Sequence, residues 1–159
     1  LLKGERVLKA ISILQPFADL VATGYKDVEC RSWPTKYRGP IFILALKAEP
    51  SAEDLHYAEY MCMREGCPMP TDYKLGGIVG IAYLSDCVTS SKSRWHEEGT
   101  YGFVMTQARP VPFIPYRGMQ KIFNIEGYDY LLQEYPPLPS RPHTTWLGRI
   151  KRRLHSVLP

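Results

Sequence analysis

The sequence predicts an α+β fold, a β-barrel of about five to six mixed strands flanked by helices. Two observations carry this. Short strand-like segments follow one another along the chain, at Ala10 to Ile13, Lys26 to Trp33, Ile41 to Leu46, Gly76 to Val88, Tyr101 to Thr106 and Lys121 to Ile125. Only two helical patterns interrupt them, so there is no regular strand–helix alternation of the kind that builds a doubly wound sheet. With 45% hydrophobic and 23% charged residues, the chain of 159 has the means to bury a core and is not a disordered one.

Each element has a local cause. Ile11 and Ile13 point one way on the first strand. The break at Gln15-Pro16 puts Pro where the first turn of a helix needs no N–H. Phe17, Leu20 and Val21 follow at helical spacing, and Gly24 is placed as a left-handed stop. In the second strand Val28, Cys30 and Ser32 share one face, and Glu29, Arg31 and Trp33 share the other, an unusual charged and aromatic face. Pro34 to Pro40 reads as a turn-rich loop, and Ile41 to Leu46 as a strand buried on both faces.

Ser51-Ala52-Glu53-Asp54 resembles a capping box with Asp for the usual Glu. It opens a helix whose apolar stripe is Leu55, Ala58, Met61 and Cys62 and which Gly66 ends. The glycines of the strand from Gly76 mark a bulge or a close backbone approach. Thr89 to Thr100 reads as a polar, mobile surface loop. Pro110, Pro112 and Pro115 restrict their segment to a sheet edge or a loop. Residues 1–126 are thus expected to form the barrel domain, and 127–159 an extension. The extension combines a short helix at Tyr128 to Tyr135, a Pro-rich spacer at Pro136 to Pro142 and an amphipathic helix at Thr144 to Leu158.

Charge narrows the function classes. The net charge is +4, but the five basic residues from Arg141 onward meet no acid, which leaves −1 on the rest of the chain. Any basic surface on the barrel must come from arrangement rather than excess. Cys30, Cys62, Cys67 and Cys87 form no C-x-x-C pair, so they read as reduced, mostly buried thiols rather than a metal site or a disulfide framework. No metal and no cofactor is expected. No apolar run reaches membrane-spanning length, and Leu1 to Ala10 lacks the apolar centre of a signal peptide. The expected location is intracellular: cytoplasmic, or nuclear in a eukaryote, without a membrane partner.

Three segments carry a resemblance. Ser12-Ile13-Leu14-Gln15-Pro16-Phe17, then Gly24-Tyr25-Lys26-Asp27-Val28-Glu29-Cys30-Arg31-Ser32-Trp33, then Tyr37-Arg38-Gly39-Pro40 are similar to the pattern of the activating-signal-cointegrator homology (ASCH) family. Gly76 to Gly80 with Asp86-Cys87-Val88, and Arg117-Gly118, fit as well, so the match covers about residues 8 to 126. The resemblance implies a barrel related to the pseudouridine-synthase and archaeosine-transglycosylase (PUA) fold. It implies a cleft between the first helix and the G-x-K-x-x-E-x-R segment, and RNA or DNA as the partner. A smaller relative hydrolyses acetylated cytidine with a Lys at the position of Lys26, beside a Thr where this chain has Glu29. Many bacterial members carry Arg, Asn and His at the positions of Leu14, Cys30 and Leu44. These departures weigh against catalysis more than against binding.

The expected nucleic-acid-binding residues are Gln15, Pro16, Phe17, Lys26, Glu29, Arg31, Ser32, Trp33, Tyr37, Arg38 and Arg117. Lys26 and Arg31 would engage phosphate or a base edge with Glu29 orienting them, against the alternative of a structural Glu29–Arg31 ion pair. Trp33, Tyr37 and Arg38 offer rings for stacking and positive charge, against a Trp33 that caps the core. The helix start at Gln15-Pro16-Phe17 suits either an anion or a plain helix entry. Arg149, Lys151, Arg152 and Arg153 form a weaker candidate, a phosphate-binding tail that competes with a solvated helix face. Trp95, His96, Glu97 and Glu98 could set a carboxylate over the cleft, with Glu98 the one singled out. Three functions remain open: a non-catalytic module for RNA or DNA single strands or ends; a hydrolase of a modified nucleoside or of RNA, with Lys26 and Glu29 central; and a protein-docking module working through the tail.

Overall fold

The computed structural model describes residues 7–136. Its elements are β1 (Leu8–Ile13), α1 (Phe17–Ala22), β2 (Val28–Arg31), β3 (Gly39–Ala45), α2 (Ala52–Glu65), β4 (Gly77–Val88), β5 (Tyr101–Pro115), β6 (Ile122–Ile125) and α3 (Tyr130–Glu134). The six strands form one mixed sheet in the order β2-β5-β4-β3-β1-β6. The class is α+β, as predicted. The barrel is open, because the edge strands β2 and β6 do not bond to each other.

Two features depart from the expected run of short strands. β1 and β3 pair in parallel, Ile11 opposite Ile43, so α1 and β2 together make a crossover. β4 and β5 are long, with 12 and 15 residues. Register shifts after Ile78, Ile81 and Leu84 interrupt their pairing, and such bulges bend a strand and raise its twist. Pro110, Pro112 and Pro115, expected at a sheet edge or in a loop, lie in β5 at an edge. β2 covers β5 only from Tyr101 to Val104, and the Pro-bearing part beyond it bonds to β4 alone.

Alternation sorts the core into two faces. Ile11, Ile13, Ile41, Ile43, Leu84 and Phe103 pack with Ala18, Val21 and Ala22 of α1. Ala10, Phe42, Leu44, Ile81 and Phe123 pack on the other face with Leu131 of α3. The close seat of α1 depends on Gly80, where an added Cβ would lie 2.4 Å from that of Ala22. α2 begins with the predicted capping box. Asp54 N–H donates to Ser51 Oγ at 3.1 Å, and Ser51 N–H donates to the Asp54 carboxylate at 2.8 Å. α2 ends on Gly66 at φ +63°.

The 89–100 loop is anchored, contrary to the expectation of a free surface loop. Trp95 is buried with Leu20, Val28, Met61 and Cys62 in a third cluster, and its indole N–H donates to Tyr25 O at 3.1 Å. The four cysteines carry free thiols. No group of three or more metal-binding side chains, and no helix long and apolar enough to cross a membrane, occurs among the described residues.

Candidate nucleic-acid interface

A cavity of about 220 Å³ opens between α1, β2, the first turns of α2 and the 89–100 loop. Ile13, Leu14, Phe17, Tyr57 and Trp95 give it apolar and aromatic walls, and Lys26, Glu29, Cys30, Asp54 and Glu97 supply its polar groups. The chain builds it by turning sharply at the end of α1. α1 is short, and the backbone N–H groups of Tyr25 and Lys26 both return to Leu20 O at 2.9 Å. That turn aims the start of β2 back across α1.

Lys26 is buried, and its Nζ donates to Val28 O and to Glu29 Oε2, both at 2.6 Å. Glu29 Oε1 faces Arg31 Nη2 at 3.1 Å, and that nitrogen also donates to Ser12 O at 2.7 Å. Lys26, Glu29 and Arg31 are therefore one ion triad, with the carboxylate bridging two cations. The face shared by Glu29, Arg31 and Trp33 packs inward because its charges neutralise one another there. Trp33 rests edge-on against Phe103, with centroids 5.1 Å apart. Of the triad, Lys26 and Glu29 line the cavity and Arg31 does not.

The other expected residues divide. Phe17 lines the cavity, its ring 6.0 Å from that of Tyr57. Gln15 does not. It is fully buried, donates to Asp19 Oδ1 and Lys74 O, and accepts the Asp19 backbone N–H at 3.1 Å. The first turn of α1 is thus capped from within, and no anion is needed there. Pro16 is buried beside it. Ser32 is exposed outside the cavity. Tyr37 donates its hydroxyl to Pro40 O, and burial pushes that hydroxyl's pKa up. Arg38 pairs with Asp86 at 3.2 Å on the surface. Arg117 is exposed on the segment before β6, where Met119 O accepts from Ser12 Oγ. Arg149, Lys151, Arg152 and Arg153 lie outside the described residues, as do the segment predicted as an amphipathic helix and all of the predicted spacer beyond Pro136.

Sequence reasoning missed Tyr57 and Asp54 as wall residues. Tyr57 lies off the apolar stripe of α2, and an aromatic on a helix's polar side was the available signal. Burial, and next the Glu97 carboxylate, raise the pKa of its hydroxyl. The Trp95-to-Glu98 cluster does supply a carboxylate at the cavity, but from Glu97 rather than Glu98. Cys30 ties the loop to β2, its Sγ accepting the Glu97 N–H and donating to Trp95 O, each at 3.3 Å.

Residues 11–137 match the ASCH domain. The chain belongs to the ASCH domain family. Activating signal cointegrator 1 from Homo sapiens and from Mus musculus are each 30% identical over 128 residues, which is 74% of this chain and 22% of those proteins. The matched segment thus spans about a fifth of the curated relatives. An ASCH crystal structure from Zymomonas mobilis aligns with a TM-score of 0.49 and 14% identity over 84% of this chain and 97% of that one. Of the three positions where many ASCH members are polar, Leu14 and Cys30 face the cavity. Leu44 does not, being fully buried in the cluster on the opposite face of the sheet.

Proposed function

We propose that this ASCH domain binds RNA or DNA by drawing a single unpaired base, from a single strand or an end, into the cavity between α1 and β2. The observation that carries the reading is the cavity's combination of Phe17, Tyr57 and Trp95 with the Lys26–Glu29 pair. Unpaired bases are held by stacking on rings and by hydrogen bonds along their edges. About 220 Å³ is less than the ~300 to 1,000 Å³ of a drug-sized site, which suits one base and not a base pair.

Phosphate contacts have a different source. Lys26 and Arg31 are committed within the triad, and residues 7–136 contain 13 basic and 15 acidic side chains. Backbone affinity then rests on exposed cations such as Arg117 and on the basic residues from Arg141 onward.

The test is fluorescence anisotropy of the full chain with short labelled single strands of RNA and DNA and with a duplex, across a salt series. Tyr57→Ala is expected to weaken single-strand binding about tenfold at every salt concentration, since a base–ring stack contributes about 1–3 kcal/mol. Truncation at Ser140 is expected to weaken binding chiefly at low salt and to flatten the salt dependence. Absence of binding to any strand sinks the reading. Turnover of a modified nucleoside, lost in Lys26→Ala, would replace it with the hydrolase alternative.

A further inference from the structure

We propose that the cavity selects a positively charged nucleobase, N-alkylated or protonated on the ring, over the neutral form of the same base. This rests on the base-binding reading and assigns its ligand class. Among the described residues four charged side chains line the cavity, and three of them are acids: Glu29, Asp54 and Glu97. Glu29 is shared between the lining cation Lys26, at 2.6 Å, and Arg31 behind it, at 3.1 Å, so the triad keeps one positive charge, which Asp54 and Glu97 together outweigh. Asp54 is turned toward Ser51 by its capping bonds. Glu97 is in no ion pair among the described residues, and its carboxylate raises the Tyr57 hydroxyl's pKa more than the Arg64 guanidinium nearby lowers it.

The walls add to this field. Aromatic faces attract cations, and the cavity already holds one in that way, with Lys26 Nζ 5.7 Å from the Trp95 ring centroid. Phe17 and Tyr57 are the rings left to meet a ligand. A flat cation gains from both the rings and Glu97. A neutral base gains the stacking and its edge hydrogen bonds but not the charge attraction, and a phosphate brought to the same walls is repelled.

The experiment is calorimetric titration of the full chain with two isomers, 1-methyladenosine, a cation at neutral pH, and N6-methyladenosine, which is neutral. The same isomers are then placed in a short RNA strand, and a trimethyl-lysine peptide serves as a third ligand. The cation is expected to bind at least tenfold tighter than its isomer. Glu97→Gln, a change at an exposed side chain, is expected to reduce that ratio to about threefold or less. A 5′-phosphate on either nucleoside is expected to weaken binding. Equal affinity for the two isomers, with RNA still bound, overturns this inference and leaves the base-binding reading standing. Failure of both isomers and of every RNA overturns the two together. Preference for the peptide over the cationic nucleoside overturns the ligand class proposed here.

Discussion

Lys26 Nζ lies 2.6 Å from Glu29 Oε2, and both side chains are almost wholly withdrawn from solvent. Glu29 also meets Arg31, so removing its charge leaves two cations facing a neutral group. Breaking a buried ion pair from one side costs about 3–5 kcal/mol. Glu29→Gln is expected to destabilise the domain by about 3 kcal/mol in urea unfolding. Adding Lys26→Met should restore more than half of that loss, because the uncompensated ammonium goes with it. Purely additive losses would show that the pair is not coupled.

Gly80 sits where β4 meets α1. A Cβ there would lie 2.4 Å from Ala22 Cβ and 3.1 Å from the Arg109 carbonyl oxygen. Overpacking of this kind costs about 1–3 kcal/mol, so Gly80→Ala is expected to lower the Tm by several degrees. Ala22→Gly in the same chain should return part of it, although Gly is itself a poor helix former. A Gly80→Ala variant with an unchanged Tm would contradict the seat of α1 described above.

Asp19 gives a pH dependence with a definite sign. Burial raises its pKa above the ordinary Asp value, and the Gln15 hydrogen bond opposes that only in part. The folded state therefore holds this proton more tightly than the unfolded chain. Stability from this group is fullest in acid, below its ordinary value, and falls as the pH rises through the raised value. Asp19→Asn keeps an acceptor for Gln15 and removes the half-buried charge. It is expected to be more stable than the parent at pH 7, with the advantage vanishing near pH 3. Equal melting curves at both pH values would refute this.

Burial pushes the Cys62 thiol up to about 12, and Cys67 beside it adds to the rise. The thiolate is the reactive form. Iodoacetamide at pH 8 is therefore expected to leave Cys62 unlabelled in the native domain and to modify it in urea, as read by peptide mass spectrometry. Rapid native labelling would mean that α2 lifts from the third cluster.

The sequence by itself determined much of this domain. Periodicity placed β1, α1, β3, α2 and β6 within a few residues, because the period of an apolar stripe is a local property. The capping box at Ser51 and the left-handed stop at Gly66 were legible for the same reason, since their bonding partners lie within four residues. The missing N–H of Pro110, Pro112 and Pro115 narrowed their segment to an edge or a loop, and the pairing with β4 decided for the edge. The residue motifs located Phe17, Lys26 and Glu29, three of the cavity's walls.

Only the tertiary structure decided what those residues do there. Lys26 and Arg31 could have been free to meet phosphate, and chain spacing is silent on how a bridging carboxylate shares itself between two cations. Gln15 reads as a ligand-facing polar residue until Lys74, 59 residues away, is seen to accept its second N–H bond. Tyr57 and Glu97 join the cavity only when α2 and the 89–100 loop are folded over β2, with Trp95 buried as the anchor. Contacts of this kind depend on distance in space, and a one-dimensional pattern records distance only along the chain.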